Sequence, residues 1–166
     1  MKGLIRQINV SNGGLPKTAV TGPVMVDSTG VAGDRHRNLK YHGGPNKAVL
    51  MIAAEFIDAL AARGYPVFYG ALGENLTVSG LDLRLWRTGQ RYRIGEDLVI
   101  ELTTLRTPCS NLDAYGAPIK QELYDAQCHA GDITSPRWAH GGFYARVVRP
   151  GLIIEGAPIT LESDVA

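Results

Sequence analysis

The sequence predicts an α+β domain built on a strand-rich, barrel-like sheet with a few helices. Short segments with strand character dominate the chain, and Gly and Pro residues that favour turns are spread between them. Two segments have helical periodicity instead. Many antiparallel strands with about two helices are typical of this class.

The predicted strands are short and are separated by recognisable turn signals. Leu76 and Val78 show the period of two, because they fall on one face of their segment. Gly95-Glu96-Asp97 is typical of a hairpin loop, and Pro150-Gly151 marks a second turn. The predicted strands are residues 4–10, 20–26, 75–78, 91–94, 98–105, 144–148, 152–154 and 159–161.

Two longer segments are predicted to be helices. Residues 45–63 begin with a Pro suited to a first helical turn, and apolar residues recur with helical spacing from Val49 to Leu60. This segment stops at Gly64. Residues 118–130 form a shorter segment that also begins with Pro and is followed by Gly.

Length and composition predict one ordinary domain over residues 1–166. The 166 residues fit the usual size of a domain, and 45% hydrophobic with 20% charged residues is a globular composition. Lys and Arg number 17 against 16 Asp and Glu, which gives a net charge of +1. This balance argues against nucleic acid as the main partner, because phosphate-binding domains usually carry a basic excess.

Several classes of protein are disfavoured by what the sequence lacks. Cys109 and Cys128 are too few for a secreted disulfide framework, which favours reduced thiols and a cytoplasmic location. We find no signal-peptide core and no apolar run long enough to span a membrane. Phosphate-loop, dinucleotide, nucleophile-elbow, zincin and Cys-x-x-Cys motifs are absent from the sequence.

The first polar cluster surrounds the predicted helix start and indicates an anion site. Two glycines before a helical N-terminus leave N–H groups unpaired at the positive end of the helix dipole. The alternative is a tight turn with solvated basic residues. The cluster comprises Gly33-Asp34-Arg35-His36-Arg37 and Tyr41-His42-Gly43-Gly44-Pro45-Asn46-Lys47.

Two further clusters fall near the ends of predicted strands. Glu74 and Asn75 could orient a polar ligand, although Asn in such a place commonly hydrogen-bonds a loop. Cys109 follows the strand at 98–105, and Arg106 could favour its thiolate if the Pro108 bend brings the two together. The alternative for Cys109 is a small buried hydrophobe, which is the interpretation we give to Cys128.

Taken in order, these motifs resemble the MOSC family, the domain named after the C-terminal part of molybdenum cofactor sulfurase. No single motif decides the resemblance, but the ordered set is specific and spans roughly residues 30–150. The matching residues are Gly33-Asp34-Arg35, His42-Gly43-Gly44-Pro45 with Lys47-Ala48, Gly73-Glu74-Asn75-Leu76, Arg106-x-Pro108-Cys109 with Leu112, and Gly142-Phe143-Tyr144-Ala145-Arg146-Val147.

The resemblance implies a barrel-like fold with a cleft and a molybdenum–pterin cofactor. Cys109 would ligate molybdenum or carry persulfide sulfur, with Arg106 as the second candidate catalytic residue. The candidate cofactor-binding residues are Asp34, Arg35, His42, Gly43, Gly44, Lys47 and Asn75. Two features depart from the family pattern: Asn111 stands where a basic residue is common, and a C-terminal helical segment of some members has no counterpart before Ala166.

Three functions remain open at this point. In the first, the protein is an oxidoreductase that reduces N-hydroxylated or related small compounds and works with an electron-transfer partner. In the second, it is a carrier that accepts persulfide on Cys109 from a pyridoxal-phosphate cysteine desulfurase. In the third, it is a non-catalytic domain whose anion pocket holds a phosphate-bearing metabolite.

Overall fold

The structure is a computed structural model that describes residues 1–36 and 43–164. Eleven strands are present in this part of the chain, together with a few short helices. The strands are β1 (Lys2–Val10), β2 (Thr18–Ala19), β3 (Val24–Asp27), β4 (Gly30–Val31), β5 (Val49–Ala53), β6 (Leu76–Ser79), β7 (Arg91–Ile94), β8 (Leu98–Leu105), β9 (Phe143–Arg149), β10 (Gly151–Ile153) and β11 (Pro158–Ser163). The α-helices are α1 (Ala54–Ala62), α2 (Ile119–Leu123) and α3 (Ala126–His129).

Seven of the strands close into a barrel in the order β1, β11, β7, β8, β9, β5, β6 and back to β1. The long strand β1 makes the closure, because Gly3 pairs with Ile159 of β11 while Ile5 pairs with Val78 of β6. Closure satisfies backbone groups that an open sheet would leave at its edges. The predicted α+β, strand-rich and barrel-like fold is confirmed.

One pair in the barrel runs parallel, and α1 makes the connection that this requires. β5 and β6 are parallel neighbours, and α1 crosses over between them. Every other adjacent pair in the barrel is antiparallel. Outside the barrel, β3, β4 and β10 form a small separate sheet, and β2 pairs with the far end of β1.

Apolar side chains fill two clusters. The main cluster lies among the barrel strands and includes the fully buried rings of Trp86, Tyr92 and Phe143. The second lies against α1 and α2 and includes Leu60, Leu72, Leu112, Ile119 and Leu123. Alternate residues of β5 belong to the two clusters, so a core lies on each side of this part of the barrel wall.

The predicted helix over residues 45–63 is wrong in its first half. Pro45–Lys47 forms a single 3-10 turn, Val49–Ala53 is strand β5, and only Ala54–Ala62 is helical. All five residues of β5 are buried, because the strand is covered on both faces. Such a strand is a continuous apolar run without the period of two, so it resembles the start of a buried helix in sequence.

Two other predicted elements divide at residues that favour a break. Residues 118–130 form α2 and α3, separated where Asp125 is extended and its carboxylate accepts a hydrogen bond from the Cys128 N–H (2.8 Å). The predicted strand 20–26 is reduced to β3, because Gly22, which has a φ of 78°, and Pro23 precede it. In the part of the chain that the structure describes, no helix has the length and apolar character needed to cross a membrane.

Gly142, just before β9, is expected to be indispensable for packing. It has a φ of 86°, and a Cβ there would meet Met51 O and lie 2.6 Å from Ile52 Cγ1. Gly142→Ala should therefore lower the free energy of unfolding by about 1–2 kcal/mol from backbone strain and by about 1–3 kcal/mol more from overpacking. Urea unfolding measures this.

Gly131→Ala is the matched control, because Gly131 has a φ of 76° and a Cβ there would meet no atom of the described residues within 4 Å. It should show only the backbone part, about 1–2 kcal/mol. Equal losses for the two variants would contradict the packing argument.

Candidate functional site

A cleft of about 650 Å³ opens where loops from several strands meet at the barrel. The segments that form it lie far apart in sequence: the β1–β2 loop, the residues after β4, those before β5 and β6, the loop after β8, and β9. Its lining residues are Ser11, Gly14, Leu15, Lys17, Arg35, His36, Gly43, Lys47, Leu50, Gly73, Asn75, Arg106, Cys109, Asn111 and Tyr144.

The cleft brings together most of the residues that the sequence analysis singled out. Asp34 lies directly behind the wall and hydrogen-bonds to Asn75. Gly44 is exposed and is not among the lining residues. His42 lies outside the described residues. The predicted residues that line the cleft are Arg35, Gly43, Lys47, Asn75, Arg106 and Cys109.

Asp34 anchors one wall of the cleft. Its carboxylate accepts hydrogen bonds from the Ser11 N–H (2.9 Å), from Lys17 Nζ (2.6 Å) and from Asn75 Nδ2 (2.8 Å). The side chain is only 2% exposed. Because these donors already hold the carboxylate, Asp34 positions the β1–β2 loop and its lysine, and its predicted contact with a cofactor stays a prediction.

Asn75 joins Asp34 to two strands of the barrel. Its Oδ1 accepts from the Leu50 N–H (3.1 Å), and its Nδ2 donates to Asn9 O (3.2 Å) as well as to Asp34. Both amide hydrogens are thereby used within the protein. Asn75 therefore makes the hydrogen bonds to neighbouring segments that the sequence analysis gave as the alternative to ligand binding. Its contact with a pterin stays a prediction, and that contact would use the second lone pair of Oδ1.

The cleft wall at Gly43 gains no positive potential from a helix dipole. The residues that follow form a three-residue 3-10 turn and then a strand, so the predicted helix entrance does not exist there. Gly43 has a φ of 79°, and a Cβ on it would lie 2.7 Å from His36 Cδ2. The cation on this wall is Lys47, whose Nζ lies 5.1 Å from the centre of the Tyr144 ring.

Cys109 presents a half-buried thiol to the cleft. It caps the 3-10 segment Ser110–Tyr115, and its carbonyl accepts a hydrogen bond from the Leu112 N–H (3.2 Å). Leu112 is fully buried in the second apolar cluster, which holds this turn in place. Asn111 next to the thiol also lines the cleft.

Arg106 lies at the base of the same cleft and is 4% exposed. Its backbone N–H donates to Gly142 O (2.9 Å), and its Nη2 donates to Leu72 O (2.8 Å). Its Nη1 is buried and has no hydrogen-bond partner among the described residues. A buried guanidinium N–H without a partner is costly, so this atom is available for a ligand.

Glu74 is fully buried beside these residues. Its Oε1 accepts hydrogen bonds from the Gly70 N–H (2.6 Å) and from Thr77 Oγ1 (2.9 Å), while Oε2 has no hydrogen-bond partner in the described part of the chain. Burial raises the pKa of Glu74, and the Arg106 guanidinium opposes that rise only in part. Glu74 therefore retains its proton above the range usual for a glutamate.

Sequence reasoning missed Lys17 and Tyr144 as cleft residues. Burial raises the pKa of the Tyr144 phenol, with Arg106 opposing the rise and Cys109 adding to it, and all three residues line the cleft. A signal for Lys17 was present. Gly13-Gly14-Leu15-Pro16-Lys17 combines two glycines, a proline and a lysine in the same way as the segment 43–47.

The described residues 1–36 and 43–164 contain no group of three His, Cys, Asp or Glu side chains arranged to hold a metal ion. The soft donor that lines the cleft is the Cys109 thiol.

The two thiols should react at different rates. Cys128 is 4% exposed, its sulfur contacts Ser135 Oγ (3.3 Å), and burial raises its pKa. We expect neutral alkylating reagents to modify Cys109 at least about tenfold faster at neutral pH. Peptide mapping of an alkylation time course measures both sites in one sample, and equal rates would contradict the assigned environments.

Glu74→Gln should flatten part of the pH dependence of stability. Near pH 4.5, the ordinary pKa of a glutamate, the folded and unfolded chains begin to differ in the number of protons that they bind. Above it the unfolded chain releases the proton that folded Glu74 keeps, so the free energy of unfolding falls as pH rises. The variant should therefore gain stability relative to the unmutated protein between that pH and neutral pH, as measured by urea unfolding.

Glu122→Gln is the control of opposite sign. Hydrogen bonds from Arg63 hold the pKa of Glu122 below its usual value, so this variant should lose stability at neutral pH and approach the unmutated protein in acid. The assignment of Glu74 would fail if both variants changed in the same direction.

Comparison with known proteins identifies the family. The profile of the MOSC domain matches residues 38–160. The chain is similar to the uncharacterized protein YflK of Bacillus subtilis, with 32% identity over 153 residues that cover 90% of this chain and 63% of YflK. It is 29% identical to protein YiiM of Escherichia coli over 160 residues, covering 92% of this chain and 65% of YiiM.

A third relative carries a functional name. A protein of Gibberella moniliformis named reductase is 28% identical over 147 residues, which cover 84% of this chain and 24% of that protein. The chain therefore spans less than two thirds of the length of each of these relatives.

Among solved structures, YiiM from Geobacillus stearothermophilus superimposes with a TM-score of 0.70 at 29% identity, covering 97% of this chain and 75% of that one. With a profile match over more than half of its length and a barrel shared with a solved relative, the chain belongs to the MOSC domain family.

Proposed function

We propose that this protein binds a molybdenum–pterin cofactor in the cleft and reduces N-hydroxylated or related small compounds, with Cys109 as the protein ligand of the metal. The observation that carries the proposal is the position of the Cys109 thiol. It is half-buried in a cleft that is also lined by Arg106, whose buried Nη1 has no hydrogen-bond partner among the described residues.

The residues of the cleft fit such a cofactor in their chemistry. A thiolate is the soft ligand that a sulfur-rich transition metal favours. The volume of about 650 Å³ falls in the range of small-molecule and cofactor sites. Lys47 and Arg35, with the backbone at Gly43, supply cationic and N–H groups suited to a phosphate, and Gly44 and His42 are proposed to act with them.

When bound, the cofactor would supply two-electron redox chemistry at a metal with an open position. The chain itself would hold the reactants in place. The Arg106 guanidinium would place positive charge in the same cleft as the Cys109 thiol. Asp34, fixed by Lys17 and Asn75, would keep the facing wall rigid.

The family relatives support a redox role. The Gibberella moniliformis relative bears the name reductase, although this chain matches 24% of its length. An electron-transfer partner, supplied by another protein, completes the proposal, because the reduction consumes two electrons and two protons for each N–O bond broken.

An accessible thiol in a cation-lined cleft also suits the second candidate function, in which Cys109 accepts a persulfide sulfur. The donor would be a cysteine desulfurase that carries pyridoxal phosphate. The Cys109 thiolate would attack the outer sulfur of the donor persulfide, the donor's S–S bond would break, and the donor cysteine would leave as a thiolate. The same cleft without redox or sulfur chemistry would be an anion-binding site.

Cys109→Ser should abolish metal loading. Protein expressed in a host that makes the cofactor is expected to purify with molybdenum near one atom per chain, and Cys109→Ser with less than about a tenth of that. Cys128→Ala is the matched control, because its sulfur is outside the cleft, and it should keep the metal at a stability cost of about 1–2 kcal/mol. Molybdenum and pterin analysis measures both.

Three other results would redirect the proposal. Unmutated protein without molybdenum or pterin would contradict it. Addition of one sulfur atom to Cys109 after incubation with a desulfurase, seen by mass spectrometry in such metal-free protein, would favour the carrier. Retention of every cellular phenotype by Cys109→Ala would favour the anion-binding domain.

A further inference from the structure

Arg106 differs from the other arginines in how its charge is balanced. Surface arginines such as Arg63 and Arg146, whose side chains are 54% and 46% exposed, each form an ion pair with a glutamate. Arg106 is the buried arginine of the described residues, and no carboxylate in that part of the chain forms an ion pair with it. This is the reverse of the usual pattern, because a buried charge needs a partner far more than an exposed one.

Neither carboxylate of the neighbouring segments forms an ion pair with Arg106 among the described residues. Asp34 is engaged by Lys17, Ser11 and Asn75. Burial raises the pKa of Glu74, and no ion pair joins its carboxylate to Arg106 among the described residues. The guanidinium therefore has no ion-pair partner in the described part of the chain, with Nη2 bound to the Leu72 carbonyl and Nη1 without a hydrogen-bond partner among the described residues.

The charged side chains that line the described cleft around Arg106 are all cationic. They are Lys17, Arg35, Lys47 and Arg106. Lys17 is ion-paired with Asp34 behind the wall, so Arg35, Lys47 and Arg106 supply the excess positive charge. The whole chain has a net charge of only +1, so positive charge is concentrated here. A concave site with charges of one sign focuses the field and raises the local concentration of anions.

We propose that the Arg106 guanidinium, beside Cys109, forms a subsite for an anionic oxygen of the substrate. The substrates are then small molecules that carry a carboxylate or another oxyanion close to the reacting group. This inference rests on the proposed function in taking the cleft as the active site, and it adds the chemical class of the substrate. The cofactor phosphate is assigned to the wall with Lys47, so the two anions occupy different parts of the cleft.

A pair of thiol reagents that differ only in charge tests the subsite. Iodoacetate carries a carboxylate where iodoacetamide carries an amide, and in both reactions the thiolate sulfur displaces iodide from carbon. The ratio of their rates at Cys109 therefore cancels any effect of Arg106 on the thiolate fraction. The background is Cys128→Ala, which leaves Cys109 as the single thiol.

In folded protein free of metal, the rate ratio of iodoacetate to iodoacetamide should exceed that of the urea-unfolded chain by about tenfold. Arg106→Gln should bring the ratio down to within about twofold of the unfolded value. Arg146→Gln, which removes an exposed arginine that does not line the cleft, should change it by less than about threefold because solvent screens that charge. A ratio equal to that of the unfolded chain, or one unchanged by Arg106→Gln, would overturn the inference.

Inorganic sulfate provides a test that needs no change at Arg106. At constant ionic strength, sulfate should compete with iodoacetate and lower the ratio in the folded Cys128→Ala protein. Absence of competition would count against the subsite even if Arg106→Gln fails to fold.

Pterin content then distinguishes a substrate anion from the cofactor phosphate. Arg106→Gln expressed in a cofactor-proficient host should retain pterin at a level comparable to that of the unmutated protein. Loss of pterin from this variant alone would overturn the assignment to substrate. Absence of pterin from both proteins would contradict the proposed cofactor, while the reagent ratio would still decide whether the anion subsite exists.

Discussion

Closure of the barrel by β1 is the constraint on which the rest of the structure depends. One end of this strand pairs with both β11 and β6, and the other end holds β2, so it joins the first and last parts of the chain. The loops that form the cleft extend from strands held in register by this closure. The cleft is therefore formed by segments that lie far apart in the sequence and meet only in the folded barrel.

The polar residues of the cleft divide into two groups according to whether the protein satisfies them. Asp34 and Asn75 hydrogen-bond to one another and to neighbouring backbone groups, and these bonds hold their wall of the cleft in place. Arg106 is buried to a similar degree but keeps Nη1 unpaired within the described residues. An unpaired buried donor costs stability, and binding sites are where proteins retain such groups.

Elements specified by local signals were predictable. The β7–β8 hairpin follows from two segments with strand character around Gly95-Glu96-Asp97, and the observed pairing of Ile94 with Leu98 agrees with it. Strand β5 was mistaken for a helix because its burial on both faces comes from neighbours distant in sequence. The break between α2 and α3 was also missed, since the capping by Asp125 depends on the geometry of a few residues rather than on the apolar pattern.

The sequence by itself determined the strand-rich class, the family resemblance and the side chains with reactive chemistry, because strand periodicity, turn residues, a thiol and a guanidinium are properties of short segments. Only the tertiary structure decided that Asp34 is engaged by Lys17, that Lys17 and Tyr144 line the cleft, and that Arg106 has no carboxylate partner in the described chain. Burial, hydrogen-bond satisfaction and local charge are set by residues that the barrel brings together across long separations. The pattern of residues along the sequence does not predict those contacts.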